Sequence, residues 1–212
     1  MFDTYLVSGN ITVFCGRHTE TFKKDILSSG LCAELTATLR GNDRESSWAA
    51  YVDISNKIRG PMSSRTFQRF EFRRANLLKI VEASAESNLP TYERQALASA
   101  FSQIKHLQSD SPITKAFLDK LRINSSSTGD TATLLTIVRA DKAVVTLQVA
   151  FNTDVMTLDV LDQPLLNATE DGKTNIRLLR NSLDERKYSL IRDEIIKKLG
   201  NEIETKLLHI PQ

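Results

Sequence analysis

Residues 131–160 read TATLLTIVRADKAVVTLQVAFNTDVMTLDV, and the reading of this stretch decides the fold. Val145, Leu147, Val149 and Phe151 fall on one side of an extended chain, with Val144, Thr146, Gln148 and Ala150 on the other. A period of two with one oily side marks a half-buried antiparallel strand. Met156, Leu158 and Val160 repeat the pattern opposite Thr157 and Asp159. Ala132 to Arg139 is rich in Leu, Ile, Val and Thr, which suit a pleated surface. Ala140-Asp141-Lys142 and Asn152-Thr153-Asp154 are polar breaks of hairpin length. The expectation is a three-strand meander whose polar face, with Thr146, Gln148, Thr157 and Asp159, is solvated or is a docking surface.

A helix follows. Ser182-Leu183-Asp184-Glu185 has the capping-box form, in which the Ser oxygen accepts from the third helical amide and Glu reaches back. Tyr188, Ile191, Ile195, Leu199, Ile203 and Leu207 then recur every three or four residues, a stripe that needs the oily sheet face beneath it. The pattern predicts one long C-terminal helix as far as Leu208. Gly200 weakens its interior by roughly 1 kcal/mol relative to Ala, so a bend or break there is compatible with the pattern.

Outward from this core, Thr4–Val7 and Ile11–Cys15 flank Ser8-Gly9-Asn10 and predict a hairpin. Thr19 to Leu39 predicts helix, with Leu27, Leu31, Leu35 and Leu39 every four residues and Ser28-Ser29-Gly30 as an interruption. Ser46 to Ile58 fits a strand or a short helix, and Gly60-Pro61 ends it. Met62 to Ala85 is read as helix because its apolar stripe runs from Phe67 and Phe70 through Leu77, Leu78 and Val81, too far for one strand. Pro90 to Leu107 is a further helix, and Ser111-Pro112 opens another, with Ser as cap and Pro where its missing amide costs nothing.

The polar run 125–130 is a loop or linker. It divides residues 1–124, a hairpin plus a mostly helical region, from residues 131–212, the meander and long helix; the two are one domain if the hairpin joins the meander's sheet. The fold class expected is α+β: an antiparallel sheet, made of the N-terminal hairpin and the C-terminal three-strand meander, packed by helices.

Composition narrows the functional classes. At 41% hydrophobic and 25% charged, the 212 residues are those of a globular chain. A net charge of +2 argues against a polybasic protein and against an acidic nucleic-acid mimic. Two cysteines, Cys15 and Cys32, are too few for a disulfide scaffold and read as reduced, packed thiols. The first residues lack a basic start and a long apolar run, and nothing reaches the roughly 18 apolar residues of a membrane helix. A cytoplasmic protein without membrane insertion is the expectation.

Motifs for chemistry are sparse. His18, His106 and His209 are widely spaced, and Cys15-Gly16-Arg17-His18 is half of a zinc pattern without its partner. Cys15 as a nucleophile lacks any sign of a positioned base. Asp53, Asp159 and Asp162 form no acid–base spacing, and no phosphate-binding glycine motif occurs. No cofactor is expected.

One segment rises above this background. Arg59, Arg65, Arg69, Arg73 and Arg74 crowd together with Phe67, Phe70 and Phe72 between them. Guanidinium forks suit phosphates and carboxylates, and aromatic rings can stack on bases. The plainer alternative is a solvated helix face whose arginines pair with Glu71, Glu82 and Glu86. The sequence therefore favours a non-enzymatic interaction or assembly subunit, binding a protein partner or itself. A nucleic-acid-binding protein using the arginines is the alternative, and an enzyme with a site assembled from distant residues is a third reading.

Overall fold

The computed structural model describes residues 2–41, 43–70, 76–84, 90–125, 130–152, 157–161 and 174–211. Ser8 and Gly9 turn the first strand back on itself, with φ of 51° and 83°, the left-handed geometry that matches strand twist in a two-residue hairpin. They join β1 (Phe2–Val7) to β2 (Asn10–Cys15). A Cβ at Gly9 would lie 2.5 Å from the Ala116 carbonyl oxygen of helix α5 (Pro112–Ile123), so the helix packs against a turn that a larger residue would push away.

Among the described residues seven strands form one sheet, in the order β3-β6-β5-β4-β2-β1-β7. The others are β3 (Ser64–Phe70), β4 (Asp130–Val138), β5 (Ala143–Asn152), β6 (Thr174–Ser182) and β7 (Leu207–Ile210). The hairpin does join the C-terminal strands, but β2 lies parallel to β4, with Ile11 opposite Leu135 and Phe14 opposite Val138. The sheet is therefore mixed, not antiparallel. The reason is the connection: the helical region between β2 and β4 is long enough to carry the chain back to the same end of the sheet.

The meander's third strand also differs from the expectation. Leu158–Leu161 is a single 3₁₀ turn that buries Val160 and Leu161. The strand that pairs with β5 is β6, with Val149 opposite Ile176 and Ala143 opposite Ser182. Met156 lies outside the described residues. Ser182 thus ends a strand, and the helix cap is Asp184, whose Oδ1 accepts from the Lys187 amide at 3.1 Å. Helix α6 (Glu185–Leu199) stops at Gly200, φ 51°. A short α7 (Glu202–Lys206) leads into β7, which pairs with β1, so Leu207 is a strand residue.

Helices cover both faces of the sheet. On one face α3 (Leu77–Ser84), α4 (Thr91–Lys105) and α5 bring Leu97, Phe101, Ile104 and Phe117 onto Leu135, Ile137, Leu147, Val149 and Phe151. On the other, α1 (Glu20–Arg40), α2 (Arg44–Arg59) and α6 bring Phe22, Ile26, Leu31, Tyr188 and Ile195 onto Phe14, Val138 and Val144. Trp48, Tyr51 and Val52 of α2 pack near Leu134 and Leu179. Thr146 and Gln148 are consequently 1% and 7% exposed. The polar side of β5 is interior, neither solvated nor a docking surface.

That interior is polar, and much of it is paired. Thr136 and Thr146 bond across the strands at 3.3 Å. Ser28 and Ser29, which do not interrupt α1, return their hydroxyls to the carbonyls of Lys24 and Ile26 at 2.7 and 2.8 Å. Asp25 accepts two bonds from Arg192 at 2.8 and 2.7 Å, and Glu34 pairs with Lys120 at 2.5 Å. Among the described residues no helix is long and apolar enough to cross a membrane.

Candidate functional site at the edge of β3

The arginine-rich segment is a strand, then a helix, not one helix. Ser64–Phe70 pairs antiparallel with β6, from Ser64 opposite Arg180 to Phe70 opposite Thr174, and α3 begins only at Leu77. The oily stripe that reads as one helix face spans two elements. Phe67 belongs to the strand and is 50% exposed, whereas Leu77 and Val81 are buried under the sheet.

β3 is an edge. Among the described residues its outer side meets no further strand, so alternate backbone amides and carbonyls there point away from β6. Beside it lies an open groove of about 380 Å³, lined by Glu45, Trp48, Arg65, Thr66, Phe67 and Arg177. Two elements build its walls. Asp43 caps α2 by accepting from the amides of Glu45 and Ser46 at 2.7 and 2.8 Å, which fixes the first turn that carries Glu45 and Trp48. Strand β6 places Arg177 directly opposite Phe67.

Arg177 organises the groove. Its Nη1 donates to Gln148 Oε1 at 2.9 Å and its Nη2 to Glu45 Oε1 at 2.5 Å. Its guanidinium carbon lies 5.5 Å from the centre of the Phe67 ring, a cation–π contact. Burial lowers the Arg177 pKa; Glu45 raises it, while the like charges of Arg44 and Arg65 lower it further. Three guanidinium groups thus lie in the field of the Glu45 carboxylate, with the Asp43 carboxylate also within reach of Arg177. Arg65 is exposed and makes no ion pair among the described residues. Such a set attracts an anion.

Of the five arginines singled out in the sequence, the structure separates Arg59 from Arg65. Arg65 lines the groove. Arg69 is a residue of the same strand, opposite Asn175. Arg73 and Arg74 lie outside the described residues, as do Glu71, Glu82 and Glu86 as side chains. Arg59 is elsewhere: 2% exposed, it sits in the interior with Nε on Ser29 Oγ at 2.9 Å and Nη2 on the Ile26 carbonyl at 3.2 Å. It ends α2 with its side chain turned to the sheet, so it cannot reach a surface partner. Sequence reasoning missed Arg177, Glu45 and Trp48, because β6 was not visible as a strand and α2 stood undecided between strand and helix.

Other chemistry is quiet. Cys15 is buried, and desolvation, with the Glu93 carboxylate behind it, pushes its thiol up to about 12, so it is a thiol rather than a thiolate. His18 bonds the Cys15 carbonyl oxygen at 3.1 Å through Nε2 and stacks on Phe22, which holds its ring for packing. Glu93 is fully buried and accepts from Arg139 Nε at 2.8 Å and Tyr92 at 3.0 Å. Among the described residues no group of three or more His, Cys, Asp or Glu could hold a metal.

No protein-family model matches the chain, and no curated protein does. A solved structure, that of the Evf virulence factor, is similar at 6% identity over 95% of this chain and 82% of that one. Its TM-score is 0.38, too low for the likeness to carry an argument.

Proposed function

We propose that the protein is a non-catalytic interaction subunit that takes an extended, acidic segment of a partner protein along the edge of β3. The observation that carries this reading is an open strand edge beside a groove lined by Arg65, Arg177 and, as its acidic lining residue, Glu45. An added strand satisfies the outward backbone groups of β3, and its acidic side chains meet the guanidinium groups, while an apolar one covers the exposed half of Phe67. Pairing of β3 with β3 of a second copy is disfavoured by the same charges, which would face one another. Nucleic acid is the alternative occupant. A net charge of +2 and the loss of Arg59 to the interior weigh against that reading.

The test is a fluorescence-anisotropy titration with a short peptide alternating Glu and Val. Its Lys-Val counterpart, a proline-bearing form and a single-stranded oligonucleotide serve as controls. The acidic peptide binds, proline weakens it by removing backbone donors, and Arg65→Glu weakens it by about tenfold or more. Binding of the oligonucleotide alone favours the nucleic-acid reading. Concentration-dependent light scattering that disappears in Thr66→Pro favours self-pairing. Equal binding of acidic and basic peptides overturns the proposal.

A further inference from the structure

Glu45 and Arg177 meet in the groove beside β3, and the two partners are held very differently. The Glu45 side chain is 81% exposed, whereas that of Arg177 is 14% exposed. Arg177 is pinned from two other directions: its Nη1 donates to Oε1 of the buried Gln148 at 2.9 Å, and the Phe67 ring centre lies 5.5 Å from its guanidinium carbon. Only Nη2 is given to Glu45, at 2.5 Å. We propose, resting on the reading of β3 as an acceptor of acidic segments, that Glu45 is a built-in stand-in for the partner's carboxylate. It occupies Arg177 Nη2 in the free protein, and a Glu or Asp of the bound segment takes its place.

The asymmetry makes the exchange easy on one side and necessary on the other. A carboxylate as exposed as Glu45 is solvated by water when it leaves, so its ion pair contributes little. Arg177 is largely out of water, and a charged donor there is costly to leave without an acceptor. An incoming carboxylate therefore replaces like with like. It also gains what Glu45 leaves unused: Arg65 lines the same groove, and the charges of Arg44 and Arg65 already oppose that of Arg177, a repulsion that a further anion relieves.

The movement is confined to one side chain. Asp43 keeps its place, because its carboxylate caps α2 through the amides of Glu45 and Ser46 at 2.7 and 2.8 Å. The helix start is thereby held while the Glu45 side chain rotates into solvent. A neutral segment has nothing to offer Arg177 and leaves Glu45 where it is. The exchange thus makes the groove selective for carboxylates.

The experiment uses the full chain and the alternating Glu-Val peptide in the anisotropy titration. Glu45 is exposed, so its variants keep the fold. Glu45→Gln removes the competitor and tightens binding by about fivefold or more. Glu45→Asp keeps the charge but, one methylene shorter, falls short of the pinned Arg177, and it tightens binding by about threefold. Glu194→Gln makes the same change of net charge at an exposed position of α6 and leaves binding within about 1.5-fold of the parent protein. Tighter binding in Glu45→Gln with none in Glu45→Asp is an effect of the local field alone and overturns the proposal. So does unchanged or weaker binding in Glu45→Gln where the parent protein binds, and the reading of the groove as an acidic-segment site survives both results. A peptide that binds neither the parent protein nor Glu45→Gln overturns that reading and this proposal with it.

Discussion

At the scale of single residues, depth changes what a side chain does. Cys15 shows this most sharply. Its thiol ordinarily titrates near 9.0, and in the folded chain burial and Glu93 push it up to about 12. The folded state therefore keeps a proton that the unfolded chain releases first. Stability from this group is complete below about pH 9 and falls as pH rises toward 12, by about 1.4 kcal/mol per pH unit at most. Burial raises Tyr5, Tyr92 and Tyr188 in the same sense, so their contribution is lost above their ordinary value of 10.0. Urea midpoints measured from pH 8 to 10 should decline, and Cys15→Ala should flatten the decline between about pH 9 and 10. Arg59 makes the companion point. Sequence places it beside four other arginines, and nothing in that spacing shows that the end of α2 turns inward. What fixes its depth is tertiary: the Asp184 amide donates to the Arg59 carbonyl at 2.8 Å, and Ser29 takes Nε.

At the scale of elements, the chain was legible where consecutive residues carry a local signal, such as strand alternation, a turn or a cap. The hairpin, α1, α4 and the Ser111 cap of α5, whose oxygen accepts from the Thr114 amide at 3.1 Å, follow local rules that a sequence carries openly. β6 does not. Arg177 and Leu179 face α2 while Ile176 and Leu178 face the other core, so neither side alternates cleanly with solvent. β3 was lost for the opposite reason, because its exposed Phe67 mimicked the start of the apolar stripe of α3. The groove needs both strands, which is why only Arg65 and Phe67, of its lining residues, were singled out. At this scale Gly200 is decisive. Its φ of 51° and ψ of −131° suit glycine alone, and they release the chain from α6 into α7 and β7. Gly200→Val should lower the urea-unfolding free energy by about 1–3 kcal/mol and weaken protection of the β7 amides. Unchanged stability would show that α6 can end without the left-handed residue.

At the scale of the whole molecule, two helical layers enclose a sheet whose centre is its best-defended part. β4 and β5 are flanked by strands on both sides and covered on both faces, whereas β3 and β7 each have one neighbour. Amide hydrogen exchange should separate them, with β4 and β5 slower than β3 by about a hundredfold or more. An acidic peptide bound at the groove should slow β3 selectively and leave β7 as it was. Uniform slowing would place the peptide elsewhere.

The parallel joint between β2 and β4 sets a timetable. Leu134 donates its amide to the Asn10 side chain, a contact that spans 124 residues, and Thr4 finds Ile210 only at the far end of the chain. On a ribosome the first hairpin must therefore wait, with its oily face uncovered, until β4 has been synthesised. Such long-range closures place folding toward the slow end, milliseconds to seconds, of what chains of ordinary stability achieve. During that interval the unsheltered hairpin is the natural client of a chaperone.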